Sequence, residues 1–294
     1  SVGTPLVQSN TIAMSVNDAV LLFLPKAEQK TVCIIAGAAT AALVGIVILG
    51  GIQRIGKASE IIVPFMAIGY IAICIIVLSR FGSRILPAFR DIFSGALGIK
   101  QAVGGAAGFG AARALRIGMA RGVYSNEAGV GSAPMAHACA NTNDPVKQGM
   151  YGIFEVFADT IVMCTMTALV VLASGIPLQA GGEISGTSIA LRAFSTVLPE
   201  RTTGIFLAVS MLLFAYTSLL GWAVYGMQCA KYLFGKRAQV PFCILYTVLT
   251  FAGALMKVDF VWTAGETLNY LMAAPNMLAL LVLNREVRRE TAFA

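Results

Sequence analysis

Long uncharged runs of apolar residues constrain the fold of this sequence more than any other feature. The hydrocarbon core of a bilayer is about 30 Å thick, so a helix needs about 20 predominantly apolar residues to cross it. Runs of this kind occupy residues 31–53, 61–79, 202–230 and 238–256. Two further apolar runs contain a few acidic residues: Glu155 and Asp159 in residues 149–175, and Glu266 in residues 260–284. Residues 1–24 read as most of another helix that ends at Pro25. The sequence therefore predicts an all-α integral membrane protein.

The region from residue 86 to residue 140 has a different pattern, because glycines interrupt its apolar content. They lie in two groups, Gly104, Gly105, Gly108 and Gly110, then Gly118, Gly122, Gly129 and Gly131. An interrupted helix is tolerated at membrane depth only where its backbone is buried in protein or lines a cavity. We therefore expect eight crossings, of which the fourth is discontinuous.

The composition excludes several other classes of protein. Hydrophobic residues make up 57% of the chain and charged residues 12%, with a mean hydropathy of +0.80, whereas soluble domains carry about 25% charged residues. The net charge of +7 comes from basic residues scattered among apolar runs, so it indicates membrane orientation rather than nucleic-acid binding. Six cysteines without a CxxC pair and a single histidine, His137, support neither a disulfide framework nor a zinc site. We expect no cofactor.

The distribution of basic residues predicts the orientation. The last apolar run is followed by Arg285, Arg288 and Arg289. Placing these residues in the cytoplasm also places most basic residues of the short loops there. Arg80, Arg84, Arg90 and Lys100 then fall outside, in a longer connection that this rule weighs less. We expect a cytoplasmic C-terminus.

Two patterns resemble enzyme motifs without fulfilling them. Residues 51–57 have the spacing of a phosphate-binding loop, but Ala58 replaces the required hydroxyl residue and the segment follows a membrane span. Ser125 and His137 could form a hydrolase pair, but on a helix twelve residues separate them by about 18 Å. We therefore do not expect an enzyme.

Two acidic residues, Glu155 and Asp159, lie inside an apolar run, where charges are costly and mark functional positions. Their i, i+4 spacing places both on one face of an α-helix. They either face a cavity, where they bind or relay a cation, or pair with Arg116 or Arg121 as a structural lock.

Adjacent hydroxyl residues, Thr217 and Ser218, occupy the middle of the run at residues 202–230. Their oxygens suit a hard monovalent cation, although hydroxyls in helices commonly bond the carbonyl of the preceding turn. Trp222 lies one turn later and well inside the run, which favours a place in a cavity wall over a place at the membrane interface.

Residues 118–138, GMARGVYSNEAGVGSAPMAHA, closely resemble the signature of the alanine or glycine:cation symporter family. Further stretches resemble the family in the same order, at residues 7–10, 45–55, 154–160, 220–222 and 231–235. Members of this family are longer and have additional N-terminal helices. We therefore expect this sequence, which opens directly in helical material, to be an N-terminally incomplete part that does not transport alone.

The resemblance implies the leucine-transporter fold of the amino acid–polyamine–organocation superfamily, with two inverted five-helix repeats. The eight expected crossings are then helices three to ten of that fold. Residues 1–80 would end the first repeat, and residues 81–294 would form the connection and the second repeat, all within one transmembrane domain. The implied C-terminus is cytoplasmic.

The resemblance also implies roles for individual residues. Thr217 and Ser218 match the hydroxyl pair that holds sodium in this fold. The expected substrate-binding residues are Gln8, Asn10, Gly108, Phe109, Ser218, Trp222 and Gly226. The expected coupling or gating residues are Arg121, Asn126, Glu127, Glu155 and Asp159. We favour the break at residues 104–110 of helix six for the substrate and the break at residues 122–131 for a cytoplasmic gate; close helix packing is the alternative for both.

Three departures from the family pattern, Val224, Met227 and the pair Thr4–Pro5, are expected near the pocket. They leave the identity of the amino acid open.

The implied function is sodium-coupled symport of alanine or glycine across a bacterial cytoplasmic membrane by alternating access. A proton-coupled carrier of a related amino acid is one alternative. A membrane sensor that binds an amino acid without transporting it is another.

Overall fold

The regular structure of the chain is helical throughout the residues described. The computed structural model describes residues 3–96, 107–127, 129–177 and 186–292. A π-helix, Phe157–Cys164, and a 3₁₀ turn, Lys236–Ala238, interrupt the α-helices. The α-helices are α1 (Gly3–Leu21), α2 (Gln29–Ile48), α3 (Ile52–Arg80), α4 (Gly82–Ala96), α5 (Ala107–Asn126), α6 (Ala133–His137), α7 (Pro145–Val156), α8 (Thr165–Ser174), α9 (Gly186–Ser195), α10 (Glu200–Phe234), α11 (Gln239–Leu255) and α12 (Val258–Ala292).

Within the described ranges, six helical stretches are long and apolar enough to cross a membrane. They are Gln29–Ile48, Ile52–Arg80, Pro145–Ser174, Glu200–Phe234, Lys236–Leu255 and Val258–Ala292. They coincide with the six apolar runs of the sequence, although the first run, residues 31–53, extends through the turn after Ile48 into α3. The chain is therefore an integral membrane protein by length and composition. The other two of the eight expected crossings differ. The described part of residues 1–24 contains α1, which is not among the six stretches, and the described part of residues 86–140 contains most of α4, all of α5 and the five-residue α6.

The chain divides into two compact units. The first contains residues 1–68, 129–153 and 204–294, and the second contains residues 69–128 and 154–203. The division into inverted repeats at residue 80 remains a prediction.

Helix α1 forms the interior of the first unit. It packs against α2, α11 and α12, and eleven of its nineteen residues are buried. Its buried residues include Ser9, Asn10, Ser15 and Asn17. Polar side chains of this kind are tolerated in a membrane protein when they face other helices instead of lipid. Burial within protein therefore explains why α1 lacks the apolar composition of the other long helices.

Two glycines allow α11 to approach its neighbours closely. A Cβ added at Gly253 would lie 2.5 Å from the Cα of Leu6 on α1. A Cβ added at Gly37 on α2 would lie 2.5 Å from the Cβ of Ala254. Small residues at such crossings permit backbone contact between membrane helices.

A buried cluster joins α1, α2 and α11 to α10. It includes Ile12, Val44, Leu219, Val224 and Met227. The fully buried Tyr246 of α11 donates its hydroxyl to the Leu219 carbonyl oxygen at 2.8 Å, which satisfies its polar group inside the cluster. One long face of α10 is therefore committed to the core.

The residues that resemble a phosphate-binding loop lie at a helix–helix turn. Gly51, with φ 78°, separates α2 from α3, and the Arg54 side chain donates to the Ile46 carbonyl oxygen at 3.0 Å. A phosphate-binding loop follows a β-strand, whereas this segment follows the helix α2.

The second unit packs around α8, which contacts α4 and α9. The hydroxyls of Tyr70 and Thr167 lie 2.8 Å apart, and the Tyr70 ring packs against Phe194 with centroids 6.1 Å apart. Arg84 donates to the Ala173 and Ser174 carbonyl oxygens at 3.4 and 3.5 Å. A cation at this position satisfies the end of α8 and complements its dipole.

We expect Gly253→Ala to lower the free energy of unfolding by roughly 1–3 kcal/mol, because the added methyl group would overlap backbone atoms that cannot rotate away. Thermal unfolding of the full-length protein in detergent measures this effect. The matched control is Gly69→Ala on α3, where an added Cβ meets nothing within 4 Å. Equal unfolding midpoints for the two variants would contradict the close approach of α11 to α1.

Candidate functional site

Helix α10 presents Ser218, Trp222 and Gly226 on one face, because they are spaced i, i+4 and i+8. Trp222 is 7% exposed, and its ring lies 5.3 Å from the Tyr225 ring in an edge-on arrangement. Gly226 is buried and Ser218 is half-buried. This combination of a hydroxyl, a large ring and a glycine forms what we call the α10 site face.

Thr217 directs its hydroxyl proton to its own helix. Its Oγ1 donates to the carbonyl oxygens of Leu213 and Phe214, both at 3.0 Å. The structure thus shows the ordinary bonding of a membrane threonine, but a hydroxyl oxygen also carries two lone pairs that can accept or ligate. One turn later, a Cβ added at Gly221 would meet nothing within 4 Å, so the helix surface beside Thr217 is open.

Two of the residues that depart from the family pattern lie away from the α10 site face. Val224 and Met227 are buried in the cluster with Ile12 and Tyr246, on the opposite side of the helix from Ser218 and Trp222. Both residues thus have a packing role in the core; the expectation that they also lie near the pocket stays a prediction.

The residues expected on α1 have different surroundings. Gln8 is half-buried. The Asn10 amide donates to the carbonyl oxygens of Gly253 at 3.0 Å and Met256 at 2.8 Å. These bonds satisfy carbonyl groups at the end of α11, where helical partners are missing. Asn10 therefore has a structural role in the first unit.

Helix six was expected to break at two places. Residues 97–106, which contain Gly104 and Gly105, lie outside the described residues. Gly108 and Phe109 lie in the first turn of α5, in the second unit. The second expected break coincides with the end of α5 at Asn126. Glu127 follows with φ 55°, a left-handed conformation that is uncommon for a residue other than glycine and is found at functional positions.

The signature continues in the first unit as a loop tied to α12. Gly129 and Gly131 have φ values of 80° and 86°. The Asn276 side chain donates to the Gly129 carbonyl oxygen at 3.0 Å. A Cβ added at Gly131 would lie 2.6 Å from Asn276 Oδ1. Glycine is therefore required here by both its backbone conformation and the space available.

The end of the signature contacts α7. The His137 Nδ1 lies 2.7 Å from the Gln148 amide nitrogen, and a Cβ added at Gly152 would lie 3.4 Å from His137 Nε2. Ser125 has another partner, because its hydroxyl donates to Asp159. His137 thus anchors the signature loop to α7 within the first unit.

In the second unit, the other end of the signature is bonded to the π-helix. Ser125 Oγ donates to Asp159 Oδ2 at 2.8 Å, and Asn126 donates its side-chain N–H to Thr160 Oγ1 at 3.1 Å. Thr160 Oγ1 also donates to Asp159 Oδ2 at 3.3 Å. We call these four residues the signature clasp. Its hydrogen bonds hold the end of α5 against the π-helix.

The π-helix changes which residues share a face. Its hydrogen bonds join residues five apart, and π-turns occur frequently at functional sites. Ser125 Oγ accordingly lies near both Asp159 Oδ2 and, at 3.7 Å, Cys164 Sγ. The expected pairing of Glu155 with Asp159 assumed α-helical spacing, whereas the π-helix begins at Phe157. Glu155 is exposed on the last turn of α7.

The partners of Asp159 bear on the two alternatives for it. Among the described residues they are the hydroxyls of Ser125 and Thr160, whereas a structural lock requires Arg116 or Arg121. Arg121 itself is exposed on α5. The choice between a cation site and a structural lock stays a prediction.

The comparisons with known proteins identify the family. The model of the sodium:alanine symporter family matches residues 1–292. The chain belongs to the sodium:alanine symporter family. This is a family of transporters rather than of enzymes, which agrees with the incomplete enzyme motifs of the sequence.

Individual relatives support the same family. The chain is 40% identical over 261 residues to the sodium/alanine symporter AgcS of Methanococcus maripaludis, covering 88% of the chain and 56% of the relative. It is 34% identical to the probable sodium/glutamine symporter GlnT of Bacillus subtilis, covering 96% and 56%. It is 30% identical to a sodium/proton-dependent alanine carrier protein of Bacillus sp. (strain PS3), covering 95% and 63%. The chain thus spans somewhat more than half the length of these relatives.

Several contacts involve residues that the sequence did not single out as functional. Ser125 is inside the signature, and Thr160 ends another family stretch, so their positions were available as a signal. Gln148, Cys164 and Asn276 carry no signal in a single sequence, because only tertiary structure brings them to the signature.

We expect Gly131→Ala to lower the free energy of unfolding of the family member by roughly 1–3 kcal/mol through backbone strain, with a further cost from the clash with Asn276. An Asn276→Ala background removes the contacts with Oδ1 and Cγ and leaves only the contact with the Cβ of residue 276, at 2.9 Å, so Gly131→Ala should cost less there. Thermal unfolding of the single and double variants measures the difference. Gly118→Ala on α5 is the control, since its added Cβ meets nothing within 4 Å. Additive effects at positions 131 and 276 would contradict the contact.

Proposed function

We propose that the full-length protein is a sodium-coupled symporter of a small neutral amino acid, alanine or glycine. The observation that carries this proposal is the α10 site face together with the adjacent hydroxyl of Thr217. The names of two relatives, a sodium/alanine symporter and a sodium/proton-dependent alanine carrier, support both the ion and the class of substrate. The sodium/glutamine name of a third relative leaves alanine, glycine and larger neutral amino acids to be separated by experiment.

In this proposal Thr217 and Ser218 hold sodium. Sodium is a hard cation that favours oxygen ligands. The Thr217 proton is committed to backbone carbonyls, so the lone pairs of its oxygen are free to face an ion. The open surface beside Gly221 leaves room for further ligands from a neighbouring helix.

The substrate would lie against Trp222, with Gln8, Ser218 and Gly226 of the same unit as further lining. A large ring limits the space for a side chain, which is a repulsive means of selecting alanine or glycine. The expectation that Gly108 and Phe109 also bind the substrate stays a prediction. Because the Asn10 amide is occupied by backbone carbonyls, Asn10 would act by holding α1 in place.

The proposed architecture is the leucine-transporter fold, with the described helices as the third to the tenth. The protein would lie in a bacterial cytoplasmic membrane with its C-terminus in the cytoplasm. Sodium would stabilise the outward-open state, and movement of helices one, two, six and seven would expose the site inward. Ligands shift such an equilibrium only through different affinities for the two states. The second unit contains the described part of α5, the π-helix and α8, which belong to the proposed helices six and seven.

The signature clasp and its neighbours would form the gate. Asn126 and Asp159 bond the end of α5 to the π-helix, and Glu127 adopts the left-handed conformation directly after it. Arg121 and Glu155 are exposed on the adjoining helices. If protons replace sodium as the coupling ion, Asp159 and Glu155 are the proposed relay.

We expect proteoliposomes containing the full-length protein to accumulate labelled alanine on an inward sodium gradient and to lose uptake when choline replaces sodium. Thr217→Ala and Ser218→Ala should each raise the sodium concentration for half-maximal uptake by roughly tenfold, the effect of losing about 1.4 kcal/mol of ion binding. The matched control is Thr267→Ala on α12. Thr267 is exposed and also donates to the carbonyl oxygen four residues earlier, at 2.7 Å.

Other outcomes of this experiment select the alternatives. Uptake that persists in choline and follows a pH gradient would identify proton coupling, and Asp159→Asn should then abolish it. Binding of labelled alanine without counterflow would identify a sensor. Equal sodium dependence of the Thr217→Ala and Thr267→Ala variants would remove Thr217 from the ion site.

We expect Trp222→Ala to enlarge the pocket, so that leucine competes with alanine uptake at roughly tenfold lower concentration, as the gain of space for a few methylene groups allows. Competition assays in the same proteoliposomes measure this. Trp262→Ala on α12 serves as the control for loss of a tryptophan. Unchanged selectivity in the Trp222→Ala variant would show that the ring does not line the pocket.

A further inference from the structure

A cysteine–methionine contact and a second cysteine bonded to the neighbouring residues lie where the end of the signature loop meets α10. Cys229 Sγ lies 3.4 Å from Met135 Sδ. Cys139 Sγ lies 3.3 Å from the Met135 carbonyl oxygen, and the Gln228 amide donates to the Cys139 sulfur at 2.9 Å. Met135 is on α6, Cys139 follows it, and Gln228 and Cys229 are adjacent on α10. All four residues belong to the first unit.

Both cysteines of this cluster are free and exposed. Cys33, Cys74 and Cys243 are free but buried, so protein atoms cover the two thiols of the cluster less than they cover those thiols. Met135 is half-buried, and its thioether lies against the Cys229 thiol. The cluster therefore has the accessibility that a metal site requires.

The chemistry of the donors selects the ion. Thiolate and thioether sulfurs are soft ligands that favour Cu(I), and harder ions prefer nitrogen and oxygen. Within the described part of the chain, no group of three or more His, Cys, Asp and Glu residues is placed to hold a metal. The third ligand at this position is instead a thioether, which excludes the ordinary zinc donor set and favours a monovalent d¹⁰ cation.

We propose that Cys139, Cys229 and Met135 form a binding site for a soft monovalent metal ion, Cu(I) or Ag(I). The two thiols lose their protons to solvent on binding, and the thioether of Met135 binds as a neutral ligand. The bound ion joins α6 and the loop after it to α10. The Gln228 amide supports the site by donating to the Cys139 sulfur.

The position of the cluster on α10 gives the site a consequence for transport. Cys229 follows Trp222 by seven residues and Ser218 by eleven, so all three lie on one face of the helix. Seven residues correspond to about 10 Å along the axis. A metal ion at the cluster fixes the signature loop over the same face that carries the proposed substrate and sodium residues. Inhibition of uptake by Cu(I) or Ag(I) is therefore expected, and this part of the inference rests on the proposed function.

Metal binding is tested on the full-length protein in detergent, by titration with Cu(I) under reducing conditions against a chromogenic chelator. Cys164→Ser serves as the background, because Cys164 is another exposed thiol and lies in the second unit. Cys139→Ser and Cys229→Ser should each lose one bound equivalent. Met135→Leu should keep the equivalent with roughly tenfold weaker affinity, in the range by which supporting groups change metal binding.

Met150→Leu, which replaces an exposed methionine on α7, is the matched control and should bind as the background does. Unchanged stoichiometry and affinity in the Cys229→Ser variant would overturn the site. Thermal unfolding midpoints of all variants identify any loss of binding that comes from misfolding. Because Met135→Leu preserves the shape of the side chain, a selective loss of affinity in that variant supports the site independently of the thiol variants.

Uptake of labelled alanine with and without Ag(I) tests the consequence for transport separately. Inhibition in the background that disappears in the Cys139→Ser/Cys229→Ser double variant supports the placement of the site over the transport route. Binding without inhibition supports the metal site and overturns that placement. Metal binding in a protein that fails to transport alanine contradicts the proposed function alone.

Discussion

The contact of α1 with the end of α11 is the interaction on which the first unit depends. A membrane protein must satisfy its backbone polar groups internally, because lipid offers no hydrogen-bond partners. Asn10 meets this requirement at the end of α11 by donating to two carbonyl groups. The absence of a side chain at Gly253 brings the two backbones close enough for these bonds to form. Packing and hydrogen bonding at this crossing therefore support each other.

Helix α10 packs against the helices that this crossing holds together. One face of α10 packs into the buried cluster with Ile12, Val44 and Tyr246, which leaves Ser218, Trp222 and Gly226 on another face. The helix is thus divided lengthwise between stability and the proposed binding of ligands. Val224 and Met227 belong to the core side of this division, although they are close in sequence to the proposed binding residues.

The sequence predicted the helical membrane class and six apolar spans well, because length and hydropathy depend on local composition. It predicted residues 1–24 as a crossing but did not predict that α1 is buried inside the first unit. Polar residues such as Asn10 and Asn17 do not by themselves show whether a helix faces lipid or other helices. The end of α5 was foreseen from Gly129 and Gly131. The π-helix was not foreseen, because residues 157–164 have no glycine or proline that marks a change of helix type. The sequence also did not predict that Asn276 bonds to the signature loop, since its contact partner Gly129 is 147 residues away in the chain.

The π-helix has a practical consequence for mutagenesis of this family. A scan of residues 157–164 interpreted with a 3.6-residue repeat would group Asp159 with Met163. The structure instead groups Asp159 with Cys164, since Ser125 approaches both side chains. A phenotype that recurs at intervals of five would therefore report a single surface facing α5, whereas α-helical reasoning would interpret the same pattern as scattered effects on opposite sides of the helix.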